Sequence, residues 1–301
     1  MRLPASSHAL LRCTFLTLFI GSLLLACGPQ KKKTDSAETS SLPNEAVPYD
    51  LANPTERYAL PKALREVSGL SYYKPGKLAM IQDELAVVFI YDLKRKSVTD
   101  EHVFGGKGDY EGVEFVDGTL YMLRSDGELY HFKPTDGVKI LGGGVDIHHI
   151  KIELAGKNDV EGLGYDPKLN ALLLATKDPS AKVQPGGGND KPIYFYDLKR
   201  ATLWRGPVLR QAVLADMAGD KPTEPVKPSG IAVHPKTGDY YVLAANGHRM
   251  VVMDRNGKLR SSAALDPELM PQPEGICFAP DGTLYIASEG KKGVLLQFAN
   301  R

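Results

Sequence analysis

One short junction returns five times along this 301-residue chain, and it narrows the folds open to the chain more than any other feature. Asp109-Tyr110-Glu111-Gly112-Val113 and Asp159-Val160-Glu161-Gly162-Leu163 share a leading acid, a Glu-Gly pair and an apolar residue. Gln272-Pro273-Glu274-Gly275-Ile276 keeps the Glu-Gly pair without the leading acid, and Ser replaces Glu in Ser68-Gly69-Leu70 and Ser229-Gly230-Ile231. Counted from residues 68, 111, 161, 229 and 274, the intervals are 43, 50, 68 and 45 residues. Between junctions, short apolar, β-branched or aromatic runs alternate with Gly, Asp, Asn and Pro, the pattern of short strands. Each interval reads as a strand, a tight turn, a second and third strand, and a more polar fourth. The first turns are Pro75-Gly76, Asp117-Gly118, Lys168-Leu169-Asn170, Thr237-Gly238 and Asp281-Gly282. In each, a Gly or Asn can supply the positive φ that a hairpin requires.

Repeats of 40–50 residues with four short strands apiece predict an all-β fold, a β-propeller of five blades, each of four antiparallel strands. The 68-residue interval accommodates an insertion from Pro179 to Pro192, and a sixth, degenerate blade in Gly206 to Lys227 is the alternative. The last unit ends near Phe298 after its third strand. Arg57 to Leu64 is therefore expected to supply the missing strand, closing the ring and removing an open edge. No amphipathic helix is expected after Glu56.

The N-terminus reads as a targeting segment. Arg2 and Arg12 accompany an apolar run from Phe15 to Ala26 that is too short to span a bilayer, so residues 1–26 are read as a signal peptide. Leu24-Leu25-Ala26-Cys27-Gly28 resembles the bacterial lipoprotein cleavage box, which makes Cys27 the lipidation site; the alternative is an ordinary secretory signal with an incidental Cys27. Residues 27–53 carry few large apolar side chains and read as a flexible tether, leaving 54–301 for the propeller. The expected location is the bacterial cell envelope, lipid-anchored at the outer rather than the inner membrane, facing the periplasm or the cell surface. Cys277 is left unpaired in an apolar run and reads as a buried thiol. A formal net charge of +1 gives no electrostatic case for nucleic acid.

In a propeller blade the first strand lines the central channel, so the junctions should gather at one mouth. That places Glu111, Glu161 and Glu274 in a ring completed by Ser68 and Ser229, with Asp109 and Asp159 two residues earlier on the same side. The ends of the second strands add Asp83, Asp178, Asn246 and Glu289 as a second tier. Carboxylates within about 4–6 Å of one another must take up protons or share a cation. A hard cation with oxygen ligands, calcium above all, meets that need, and the ion is expected nearer Glu111 and Glu161 than the Ser68 and Ser229 side. The competing structural reading has each Glu-Gly cap its neighbouring blade. His148-His149 and the scattered remaining histidines lack zinc spacing. His248 is the one candidate for a catalytic base.

The Ser-Gly and Glu-Gly junctions, Gln82-Asp83-Glu84 and the lipoprotein leader together resemble the SdiA-regulated propeller family, bacterial envelope proteins with five blades. The resemblance runs from Glu56 to the C-terminus. It implies a bound calcium ion and attaches no reaction. The Glu-Gly junction is also similar to that of calcium-dependent lactonases and phosphotriesterases, strictosidine-synthase-like proteins and esterase-like phytase domains. The expectation is a monomeric, membrane-tethered propeller that binds calcium at its channel mouth and serves as a module for a small-molecule ligand or an envelope protein. The alternative is a calcium-dependent hydrolase of an ester, lactone or phosphoester.

Overall fold

The computed structural model describes residues 44–135, 146–154, 156–180, 182, 188–218 and 224–301. The segment read as a signal peptide, Cys27, and the segment read as a tether as far as residue 43 lie outside the described residues. Residues 41–301 form one compact unit. Its strands are β1 (Glu56–Ala59), β2 (Val67–Lys74), β3 (Lys77–Gln82), β4 (Leu85–Asp92), β5 (Ser97–Lys107), β6 (Tyr110–Val116) and β7 (Thr119–Arg124). They continue as β8 (Glu128–Phe132), β9 (His148–Lys151), β10 (Asp159–Asp166), β11 (Ala171–Asp178), β12 (Lys191–Asp197) and β13 (Thr202–Leu209). After a helix, α1 (Gln211–Ala218), come β14 (Gly230–Val233), β15 (Tyr240–Ala244), β16 (Arg249–Met253), β17 (Leu259–Ala264), β18 (Gln272–Phe278), β19 (Leu284–Glu289) and β20 (Val294–Phe298).

These strands pair as five four-stranded sheets: β2 to β5, β6 to β9, β10 to β13, β14 to β17, and β18 to β20 completed by β1. Every pairing is antiparallel, and the chain is a five-bladed β-propeller closed by its N-terminal strand, with Arg57 opposite Leu296. The first hairpin of each blade turns where the sequence placed it: Gly76, Gly118, Asn170, Gly238 and Gly282 all have positive φ, from +49° to +95°. The blades are glued face to face by apolar side chains. Between blades four and five, for example, Tyr241, Leu243 and Met250 pack with Ile276, Phe278 and Ile286.

Three expectations and one alternative are corrected by the structure. The closing strand stops at Ala59; Lys62–Leu64 is a turn of 3-10 helix entered through Pro61, which has no N–H with which to extend a ladder. No sixth blade occupies 206–227: its described residues are the end of β13, helix α1 and the approach to β14. Helix α1 is also the helix that sequence periodicity did not signal. It is two turns long and packs through Leu214 and Met217, both buried, too few contacts for a visible helical repeat. Packing also begins upstream of residue 54. Glu45 N–H donates to the Arg260 carbonyl at 2.9 Å, and the buried Tyr49 donates its hydroxyl to the Gly282 carbonyl at 2.8 Å. Among the described residues, no helix is long and apolar enough to cross a membrane.

Candidate cation site at the channel mouth

In four of the five blades the repeated junction is a β-bulge. In the first blade Val67 pairs with Gln82 and Gly69 with Ile81; in the second Tyr110 pairs with Arg124 and Gly112 with Leu123. In the third Val160 pairs with Thr176 and Gly162 with Ala175; in the fifth Pro273 pairs with Ser288 and Gly275 with Ala287. The residue skipped each time is Ser68, Glu111, Glu161 or Glu274. A bulge leaves its extra residue outside the regular ladder and redirects the side chain, here toward the propeller axis.

The glycine that follows has a separate role. A methyl carbon on Gly69 would lie 2.8 Å from Gly112 Cα, one on Gly112 2.6 Å from Leu163 Cβ, and one on Gly162 3.1 Å from Ile231 Cγ2. On Gly230 it would collide with the Glu274 carbonyl oxygen, and on Gly275 it would stand 2.7 Å from Leu70 Cβ. Each glycine therefore faces the innermost strand of the next blade, and the fifth returns to the first. Only a residue without Cβ permits inner strands to approach this closely. The ring encloses a cavity of ≈ 10 Å³ lined by Ser68, Glu111, Glu161, Ser229 and Glu274, about the space one water or one ion needs.

In the fourth blade Ser229 takes the same place without a bulge, since Lys227 pairs with Asn246 and Gly230 with Leu243 in unbroken register. The five junction side chains behave in two ways. Ser68 and Ser229 are buried, and their hydroxyls donate to the carbonyls of Tyr110 and Pro273, each at 2.6 Å. Those carbonyls belong to the residues just before Glu111 and Glu274, so each serine staples its blade to the next. The glutamates make no such staple. Burial pushes the Glu111 carboxyl up to about 10, helped by Glu161 and by a hydrogen bond with Asp109. Burial and Glu161 likewise push Glu274 up to about 9, against the pull of Lys177. Glu161 is raised less, to about 7, because burial is offset by the Lys177 ammonium, which forms an ion pair with its Oε1. Lys177 did not emerge from the sequence. It precedes Asp178 at the end of β11 and is itself skipped in the pairing of Asp159 with Asp178 and Val160 with Thr176. Two facing bulges thus bring Lys177 and Glu161 together, a contact that no single-strand pattern carries.

The remaining candidates divide around the mouth. Asp109 and Asp159 line an adjoining cleft of ≈ 410 Å³ with Asp126, Lys157 and Asp178, rather than the axial cavity itself. The Ser125 hydroxyl donates to Asp109 Oδ2 at 2.6 Å. Burial raises the Asp159 carboxyl. Asp178 is held below the ordinary carboxylate range, against its burial, by Lys227 and Lys191, whose ammonium groups stand 2.8 and 3.2 Å away. Asn246 pairs its backbone with Lys227. Glu289 accepts at most a long bond from Gln272, 3.5 Å, and its carboxyl is raised by burial and by Asp83. His248 lies outside the mouth; its Nε2 sits 3.0 Å from the Pro271 carbonyl oxygen.

The donors suit a hard cation in chemistry. They are all oxygens, three glutamates on one cavity share one ammonium, and Asp83 Oδ1 is buried without a hydrogen-bond partner. As the side chains stand, among the described residues no group of three or more His, Cys, Asp or Glu is drawn together into a metal-binding cluster. Lys177 holds Glu161 aside. One further buried acid escaped the sequence reading: Glu114, deeper on β6, accepts from the Ser71 hydroxyl at 3.1 Å, and burial pushes it up to about 8.

Comparison with known proteins adds a family and a fold. The family model described as SdiA-regulated matches residues 54–292. Among solved structures, glutaminyl cyclase from Myxococcus xanthus is similar at 12% identity and a TM-score of 0.54, covering 82% of this chain and 95% of that one. The PQQ-bound aldose sugar dehydrogenase from Streptomyces coelicolor is similar at 12% identity and a TM-score of 0.52, covering 82% and 99%. At that identity the likeness concerns the propeller alone. No curated protein matches the chain.

Proposed function

The chain belongs to the SdiA-regulated family, and from that premise we propose that it is a lipid-tethered binding module of the bacterial envelope that takes up a calcium ion at its channel mouth. One observation supports this most: Glu161, buried, and Glu111 and Glu274, half-buried, line one small cavity from bulges, yet only one ammonium, that of Lys177, offsets them. Neutralising such a set by protonation leaves two carboxyls far above their ordinary range. A divalent cation removes the same conflict and lets the glutamates ionise. Glu111, Glu161 and Glu274 would hold the ion, with Asp109 joined to Glu111 by its hydrogen bond, and Lys177 would release Glu161. Bound there, the ion would supply positive charge at the floor of the mouth, where an anionic or carbonyl-bearing partner could approach. Tethering rests on the leader and Cys27, whose sequence resembles a lipoprotein cleavage box.

The test is a thermal melt of residues 41–301 in EDTA and in calcium. At about 100 times the dissociation constant, a ligand that binds only the folded state adds about 2.7 kcal/mol, or very roughly 5–10 °C for a domain of this size. Glu111→Gln should abolish the rise. An identical melt with and without calcium in the wild type sinks the cation reading. Metabolic labelling with a fatty acid, lost in Cys27→Ser, tests the tether. Chromogenic esters, lactones and phosphotriesters test the hydrolase alternative, whose candidate base, His248, has its Nε2 against a backbone carbonyl.

A further inference from the structure

A second cavity opens on the same face, where the ring is closed by the N-terminal strand. It measures ≈ 520 Å³ and lies between the end of β1, the loop from β17 to β18 and the loop from β19 to β20. That volume falls within the range of pockets that enclose small organic ligands. Its apolar wall includes Leu269, Pro271 and Val294, and its rim carries Arg57, Lys291 and Lys292. Among the described residues none of these three cations forms an ion pair, whereas Lys177, Lys191, Lys227, Arg124 and Arg255 all do. Against them stand two carboxylates, Glu268 and Glu289. The carboxyl of the second is raised by burial and by the nearby Asp83 and Glu66.

The wall is also preformed. Lys291 and Lys292 occupy the tip of a loop bounded by Gly290 (φ +150°) and Gly293 (φ +49°). Gly290 N–H donates to the Arg65 carbonyl at 3.1 Å, Gly293 N–H to the Gly290 carbonyl at 3.0 Å, and Leu60 N–H to the Gly293 carbonyl at 3.2 Å. A methyl carbon on Gly293 would press against Leu64 O and Arg65 Cα, both at 3.1 Å, so the loop is seated directly on the 3-10 turn. A loop pinned this way fixes the backbone from which both lysines reach the cavity, which lowers the ordering cost at binding.

We propose that this cavity is a binding site for a small amphipathic anion, its apolar body against Leu269, Pro271 and Val294 and its acidic head at Arg57, Lys291 and Lys292. The site is independent of the cation at the mouth, and neither EDTA nor calcium is needed to test it. Residues 41–301 are titrated with 8-anilinonaphthalene-1-sulfonate, an anion, and with N-phenyl-1-naphthylamine, which has a similar aromatic body and no charge. One anion per chain is expected to bind, at least tenfold more tightly than the neutral probe. Lys291→Ala with Lys292→Ala should weaken the anion at least tenfold and leave the neutral probe unchanged. Leu269→Trp, which fills the cavity, should abolish binding of the anion while the thermal melt shows the chain still folded. Equal affinity for the two probes overturns the proposal. So does anion binding that survives the double lysine variant, or binding untouched by Leu269→Trp.

Discussion

The Glu and Ser copies of one junction occupy equivalent places in the propeller and do different work. Both line the axial cavity, all but Ser229 as the extra residue of a bulge, and both precede a glycine that faces the next blade. Ser68 and Ser229 spend their hydroxyls on the carbonyls of the next blade and are structurally complete. Glu111 and Glu274 are left as half-buried acids whose carboxyls are pushed well above the ordinary range, and Glu161 depends on Lys177. A repeat that looks uniform at the level of backbone thus separates into staples and charge. The glycine belongs to the fold, the serine to the seam between blades, and the glutamate to chemistry at the axis.

The largest effect should come from what the copies share. Gly112→Ala, behind a glutamate, and Gly230→Ala, behind a serine, each push a methyl into the neighbouring inner strand. Overpacking against backbone of this kind costs about 3 kcal/mol, near 10 °C in the melting temperature. A tolerant glycine on one side only would break the equivalence of the two classes. Next come the staples. Ser68→Ala and Ser229→Ala each leave a buried carbonyl without its donor and should cost about 1–3 kcal/mol in a urea titration, with the calcium-induced rise retained. Loss of that rise in either serine variant would put serine among the ligands.

Glu114 offers a smaller test, read through pH. Its folded value is about 8 against an ordinary 4.5, so between those values the folded chain binds a proton that the unfolded chain has lost. Stability from this group is therefore complete below about pH 4.5 and declines as pH rises toward 8. Glu114→Gln carries no charge at any pH. Relative to the wild type it should gain melting temperature steadily from pH 5 to pH 8, by a few degrees at the upper end, and show no pH-dependent gain below pH 4. A gap that stays constant across pH would show that Glu114 is ionised in the folded state. The smallest expected change is Lys177→Met. Glu161 can take a proton in its place, so the metal-free melt should move by only about 1 kcal/mol, while calcium affinity rises about tenfold, worth 1.4 kcal/mol. Weaker calcium binding in this variant would make Lys177 part of the site rather than its competitor.

Much of the fold was legible because it is written locally. Asp117-Gly118 and Asp281-Gly282 each carry a turn within two residues, and the alternation around them marks strands without reference to anything distant. The missing strand at the C-terminus called for one at the N-terminus, and β1 supplied it. Helix α1 was hidden because two buried residues make no period. Lys177 was hidden because it reaches Glu161 only through a paired irregularity in two strands, 16 residues apart in the chain. Glu114 lies three residues beyond a junction, on the same strand, and attention to the junction alone passed over it.

By itself the sequence determined the blade repeat, where five blades begin, and that three glutamates and two serines come to one end of the axis; the structure excluded a sixth blade. Those facts follow from spacing and from turn chemistry, which act over a few residues. Only the tertiary structure decided that the serines are staples, that the glycines are demanded by the neighbouring blade, and that one lysine stands among three acids. Each of those contacts joins separate strands, and the serine and glycine contacts join separate blades; Ser68 reaches Tyr110 over 42 residues and Ser229 reaches Pro273 over 44. Their energies depend on distance and burial in the closed ring, quantities that no stretch of sequence contains.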